Sequence, residues 1–220
     1  MARRKYVLAD NEIYHVFNRS VGNEELFGNL KDIDRALKLI NFYRYHQSIR
    51  YSKYKSLNKE LKKAYDIQGL RKNPLVEIYA YAIMPNHYHL LLKQLQDKGI
   101  QRFVANFQNS LARYYNTKTG RRGSLFINNF KAKRIENDQI ILHVSRYIHL
   151  NPVTSHIIKE SEFINNIMTS FYAYSNEVDT FVDKDMLLSI ARSRQKYIKF
   201  VFDQVDYQRK LNEIKSVLFD

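Results

Sequence analysis

An α+β fold, with helices packed on one face of an antiparallel sheet, is what this sequence predicts, on three observations. Strand-like and helix-like segments interleave along the chain. Two strand-like runs in the middle are separated only by Pro85-Asn86, a turn signal that makes them a hairpin. The apolar spacing also switches between every second residue and every third or fourth, which separates strands from helices.

Residues Glu12–Asn18 alternate in polarity and carry β-branched and aromatic side chains, so they read as a strand. Gly22–Gly28 is a loop. From Leu30 to about Tyr45, Ile33, Leu37, Ile40 and Phe42-Tyr43 fall at helical spacing. Residues 51–73 are rich in Lys, Tyr and Leu and read as a basic, partly helical insertion. Leu75–Met84 and His87–Gln94 are the hairpin strands. Gly99 opens a helix carrying Ile100, Phe103, Val104, Phe107 and Leu111, which ends near Gly120. Leu125–Arg134 looks extended. A further helix runs from Asp138, read as its N-cap, to Asn151, where Pro152 stops it. Asp183–Arg194 and Gln195 to about Phe219 read as two tail helices.

The balance of 36 Lys and Arg against 22 Asp and Glu gives a formal charge of +14, a field that attracts polyanions such as nucleic acid. The 17 Tyr and 13 Phe interleaved with those cations suit stacking on unpaired bases. With no cysteine, disulfides and thiolate metal sites are excluded. No apolar run approaches the roughly 20 residues of a membrane span, and Met-Ala-Arg-Arg-Lys leads into polar sequence. The expectation is a cytoplasmic protein without a membrane partner.

The sharpest local feature is His87-Tyr88-His89. Residues two apart on a strand share a face, so both imidazoles can reach one metal ion. The plainer alternative is one buried and one surface histidine. Tyr147 and Asn151 are i and i+4 on a helix and share its face. An amide oxygen completes a His/His/O set suited to a hard or borderline divalent ion, with a phenol beside it as nucleophile. The plainer alternative is a core tyrosine and a helix C-cap. The remaining histidines, His15, His46, His143, His149 and His156, show no such pairing.

Met84-Pro85-Asn86-His87-Tyr88-His89-Leu90-Leu91-Leu92 resembles the signature of the HUH single-tyrosine transposases, and most closely their REP-associated tyrosine transposase branch. Four more segments match that branch in order. They are Tyr14-His15-Val16-Phe17-Asn18-Arg19, Leu125-Phe126 through Phe130-Lys131, Arg146-Tyr147-Ile148-His149-Leu150-Asn151-Pro152-Val153, and Ser170-Phe171-Tyr172-Ala173-Tyr174. The resemblance runs from about residue 11 to 192. It implies a ferredoxin-like sheet with helices on one face. It also implies metal ligands at His87, His89 and Asn151, a Mg2+ or Mn2+ cofactor, and Tyr147 as nucleophile. Residues 1–160 would form the catalytic domain and 161–220 a helical extension. Tyr88 departs from the usual apolar middle residue; on the opposite strand face it can pack in the core.

The implied reaction is transesterification. Tyr147 attacks a phosphorus of single-stranded DNA, displaces a 3′-hydroxyl and forms a 5′-phosphotyrosine link; a second strand's 3′-hydroxyl reverses it. A phenol of ordinary pKa, about 10, needs a metal's field or a base, and His143, one turn before Tyr147, is a candidate base. Arg121, Arg122, Lys131, Lys133, Arg134 and Arg19 are candidate DNA contacts, with a solvated basic turn as the alternative. Arg3, Arg4 and Lys5 form a candidate arm. The implied partner is single-stranded DNA with hairpin structure, bound by a monomer or homodimer. A non-catalytic single-strand-binding module, a metal-dependent hydrolase and an inactive relative kept for binding stay open.

Overall fold

The computed structural model describes residues 7–67, 73–127, 129–176 and 178–203. The candidate arm at Arg3, Arg4 and Lys5, the end of the basic insertion and the tail beyond Asp203 lie outside the described residues. The chain runs β1 (Ile13–Arg19), α1 (Leu30–Tyr43), α2 (Tyr51–Ser56), α3 (Lys59–Ile67), β2 (Val76–Met84), β3 (His87–Gln94), α4 (Gly99–Thr119), β4 (Lys131–Ile135) and α5 (Asp138–Thr154). It continues through α6 (Phe171–Ser175), α7 (Asp185–Ala191) and α8 (Arg194–Phe202).

The four strands form one antiparallel sheet in the order β2-β3-β1-β4. With α1 and α4 as the crossovers, this is the ferredoxin-like arrangement. Period-two alternation sends Tyr14, Val16 and Asn18 of β1 inward, and Tyr88 of β3 lies on that same side. Helices α1 and α4 pack there, and Phe103, Val104, Phe107 and Leu111 of α4 are buried. Tyr88 is fully buried, meets Phe107 and Phe126 edge-on and receives a hydrogen bond from Gln108 Nε2. The departure at the middle of the histidine motif is thus a core residue.

Helices also lie on the other face, over part of it. α5 packs on β2 and β3, which explains why β2 is buried along nearly its whole length while β1 alternates and β4 is mostly exposed. Among the described residues the β1–β4 half of this face is left open. The outer edge of β2 is closed by the chain after α5: Ile83 N–H bonds Met168 O, Ser170 N–H bonds Tyr81 O and Asp183 N–H bonds Ile78 O.

Several boundaries differ from the expectation for local reasons. α1 stops at Tyr43 because Arg44 O turns to accept Leu75 N–H. The N-cap of α5 is Asn137, whose Oδ1 accepts Ile140 N–H, and not Asp138. Pro152 does not stop α5. The helix runs on to Thr154, where Ser155 N–H closes on Asn151 O, and Pro152 O accepts from Ile157 and Ile158. One missing donor is tolerated where Leu150–Thr154 are all buried. The basic insertion supplies α2 and α3, and the tail supplies α7 and α8.

α4 begins against the neighbouring chain. A Cβ on Gly99 would lie 2.3 Å from Leu75 O, a backbone atom already accepting Leu95 N–H. Gly99→Ala is therefore expected to destabilise the fold by about 1–3 kcal/mol. A urea denaturation curve with a lowered midpoint and unchanged slope would show it.

Candidate active site

β3 starts directly after the Pro85-Asn86 turn, and alternation places His87 and His89 on the face that α5 half covers. The strand register sets Arg19 opposite His87 and Phe17 opposite His89, with His15 next along on the same face. The His89 ring lies near-parallel to His15 at 5.1 Å and to Phe17 at 5.6 Å. His87 meets His89 edge-on at 5.1 Å.

Each imidazole of the pair has its Nδ1 tied. His87 Nδ1 lies 2.6 Å from Asn86 Oδ1, and His89 Nδ1 lies 2.9 Å from His15 Nε2. An amide oxygen only accepts, so His87 carries its proton on Nδ1 and keeps a lone pair on Nε2. When His89 donates from Nδ1 to His15, its Nε2 is likewise left as a lone pair. No described residue bonds either Nε2.

Burial, with the Arg19 charge adding to it, pulls His87 down to about 4. Burial also holds His89 well below its ordinary value, helped by His15, His87 and Arg19. Burial and then Lys133 bring His15 to about 4. All three rings are neutral at pH 7, the state in which imidazole ligates a metal.

α5 brings the other two residues. Tyr147 stands edge-on to His89 at 5.7 Å and to His15 at 6.1 Å, and is 37% exposed on the open side. Asn151 lies one turn on, is 6% exposed, and its Nδ2 is buried without a hydrogen-bond partner. An amide with an uncommitted nitrogen can turn to present Oδ1 at little cost. Among the described residues no three His, Cys, Asp or Glu side chains group to hold a metal. His87 Nε2 and His89 Nε2 are two lone pairs that could serve a divalent ion, and the Asn151 amide oxygen, one helical turn from Tyr147, is of the type that could complete such a set.

α5 is held in place from behind. His149 is fully buried and is pulled down to about 3 by that burial, so it is neutral. Its Nδ1 lies 3.2 Å from Tyr197 Oη, which donates to Ser145 Oγ at 2.8 Å; Ser145 in turn donates to Leu142 O. Its Nε2 lies 2.8 Å from Ser170 Oγ, which accepts Tyr81 N–H from β2. One direction of donation satisfies every member, and the chain joins α5 to β2 and α8.

The cations fall into three settings. Arg19, Lys131 and Lys133 lie on the same face as the histidines; Lys131 Nζ is 5.9 Å from the Phe17 ring centre and Lys133 pairs opposite His15. Arg134 is bonded by Nε and Nη2 to Glu12, and Arg121 pairs with Glu24 at 2.9 Å. Arg122 is exposed on the turn after α4. His143 turns away from Tyr147: its Nδ1 accepts from Arg146 and its ring meets Phe200. The histidines beside Tyr147 are instead His89 and, missed in the sequence, His15. Its place on β1 follows from the alternation, but its partner on β3 depends on a register that one sequence does not give.

Residues 39–151 match the family profile described as "Transposase IS200 like". A solved REP-associated tyrosine transposase bound to a REP hairpin shares the fold, with a TM-score of 0.50 and 14% identity over 82% of this chain and 89% of that one. No curated protein sequence matches the chain. Among the described residues no helix is long and apolar enough to cross a membrane.

Removing the Ser170 hydroxyl strands Tyr81 N–H and His149 Nε2 in a buried place. Ser170→Ala is expected to lower stability by about 1–3 kcal/mol, read as a fall in the thermal midpoint.

Proposed function

The chain belongs to the IS200-like transposase family, and on that premise we propose that it cuts and rejoins single-stranded DNA through Tyr147, as a member of the REP-associated branch. The observation that supports this most directly is the placement of Tyr147. Its phenol stands against His89 and His15 yet is open to solvent over the uncovered half of the sheet.

In the proposed step the Tyr147 oxygen forms a bond to phosphorus, and the bond to the 3′-oxygen breaks. The phenolic proton leaves to water, which reaches Tyr147, and the departing 3′-oxygen takes a proton from water. A 5′-phosphotyrosine link holds the bond energy until another strand's 3′-hydroxyl displaces Tyr147. A divalent metal, Mg2+ or Mn2+, supplies Lewis-acid polarisation of a non-bridging phosphate oxygen. His87, His89 and Asn151 would hold it, and His15, by accepting from His89 Nδ1, would keep His89 in the tautomer with a free Nε2. The rigid start of β3 and the clamped α5 set the distance between phenol and phosphate before substrate arrives.

Arg19, Lys131 and Lys133 are proposed to neutralise phosphates of the strand entering over β1 and β4, where Phe17 offers a ring beside it. Arg122 joins them from the turn after α4, while Arg121 and Arg134 would have to leave Glu24 and Glu12 to do so. The structural relative binds a REP hairpin, and hairpin-bearing DNA is the substrate proposed here.

A denaturing gel of protein incubated with labelled single-stranded hairpin DNA and Mn2+ tests the reading. A protease-sensitive adduct is expected, lost on chelation and reduced at least about 1,000-fold by Tyr147→Phe. Cleavage that survives Tyr147→Phe would mean water is the nucleophile, and binding with neither adduct nor cleavage would mean a non-catalytic module. Separately, titration calorimetry with Mn2+ alone is expected to show binding abolished by His87→Ala and weakened about 10–100-fold by His15→Ala.

A further inference from the structure

The basic insertion forms a cavity of about 170 Å³ against the end of α1, across the sheet from Tyr147. Its walls are aromatic: Phe42, Tyr45, Tyr51, Tyr54 and Tyr65, with Asp66 among them. The rings meet at angles and do not stack flat. Phe42 stands to Tyr51 at 71° and to Tyr54 at 41°, and Tyr54 stands to Tyr65 at 53°. The sheet does not need all of these rings: Tyr45, Tyr54 and Tyr65 are half-buried and stand outside the hydrophobic core.

Two of the phenol tips are engaged. Tyr54 Oη donates to the Asp66 carboxylate at 3.1 Å, and Tyr65 Oη donates to Gln47 Oε1 at 2.9 Å. Gln47 is itself tied through Nε2 to Phe42 O. These bonds fix the rings before any guest arrives and leave their faces as contact surface. Cations of the chain already use some of those faces. Arg35 lies over Tyr51 at 4.7 Å, Arg44 over Tyr45 at 4.6 Å and Lys62 over Tyr54 at 6.0 Å. Among the described residues no cation lies over Phe42 or Tyr65. Lys38, the exposed lysine of the lining, is paired with Asp34 at 2.6 Å, which offsets its charge.

We propose that this cavity binds a small quaternary ammonium compound, with choline as the simplest probe. The negative faces of aromatic rings attract a cation, and a carboxylate beside them adds to that attraction. A trimethylammonium group spreads its charge over methyl groups that hold water loosely, so rings replace its hydration at little cost. A primary ammonium or a metal ion would need several oxygen acceptors in place of its water. The lining offers one carboxylate, Asp66, which already accepts from Tyr54. The volume agrees, since it takes such a headgroup and little beyond it. That favours a free solute over the same headgroup held in a lipid surface. The site is independent of the chemistry proposed at Tyr147.

The test is a titration of the full chain with choline at constant ionic strength, followed by proton saturation-transfer NMR at the choline methyl signal. A dissociation constant of about 1 mM is expected, in the range that a few ring contacts provide. The neutral isostere with carbon in place of nitrogen (dimethylbutanol) should bind at least about tenfold more weakly. Tyr54→Leu with Tyr65→Leu should weaken choline binding at least about tenfold, whereas Tyr54→Phe with Tyr65→Phe, which keeps both rings, should stay within about threefold. Phosphatidylcholine vesicles should not sediment the protein. Equal binding of the isostere would make the cavity a plain apolar hole, and undiminished binding by the leucine pair would put the site elsewhere. No saturable signal up to roughly 100 mM choline would leave the cavity without this ligand. Each of these results overturns the proposal, as does sedimentation with vesicles without choline binding, which would point to a membrane surface. The isostere comparison uses the unmodified chain, so it decides the matter even where the leucine pair fails to fold.

Discussion

The placement of α5 across half of the sheet is the constraint on which the site depends. A strand can present two histidines on one face, but it cannot bring the Tyr147 phenol to them; a second element must cross that face at a fixed height. Here the crossing is set by hydrogen bonds buried behind the helix. Tyr81 N–H on β2 meets Ser170, Ser170 meets His149, and His149 meets Tyr197 and, through it, Ser145. Because each polar group in that chain is satisfied, sliding α5 along the sheet would break several bonds in a dry interior at once. Apolar packing alone offers no comparable lock, since aliphatic contacts re-form at neighbouring positions.

The same covering sets the electrostatics. In a chain of formal charge +14, histidines near Arg19 and Lys133 would lose protons easily even in water; burial under α5 and between strands goes further and keeps them neutral. Neutral imidazoles can donate lone pairs, and the surrounding cations remain available for phosphates instead of being tied to carboxylates. No carboxylate among the described residues joins the His87–His89 group.

Legibility in the sequence followed the range of the interactions. The period-two and helical patterns gave β1, β2, β3, α1 and α4 to within a few residues, because each element's own side chains decide its face. The pairing of His87 with His89, and of Tyr147 with Asn151, is equally local. The open question was how Tyr147 reaches the histidines, which the motif resemblance answered by expectation and which here rests on strand order and on α5. His15 escaped notice because its importance comes from a partner 74 residues away. Ser170 and Tyr197 escaped for the same reason. Pro152 misled because a helix stop is a local rule, and buried packing from Leu150 to Thr154 outweighs it. His143 has the right helical offset from Tyr147, yet Arg146 and Phe200 draw it toward α8.

The two edges of the sheet show how the fold separates stability from access. At the β2 edge, Met168, Ser170 and Asp183 take the free backbone groups, and the interior behind that edge is closed. At the β4 edge the strand is five residues long, with the cations Lys131, Lys133 and Arg134 exposed along it. Short length and like charges prevent another β-strand from adding there, since an incoming backbone offers no charge to offset them. An incoming polyanion does offer it. The feature that protects this edge from aggregation also leaves Lys131 and Lys133 exposed on the face that carries His15, His89 and Tyr147.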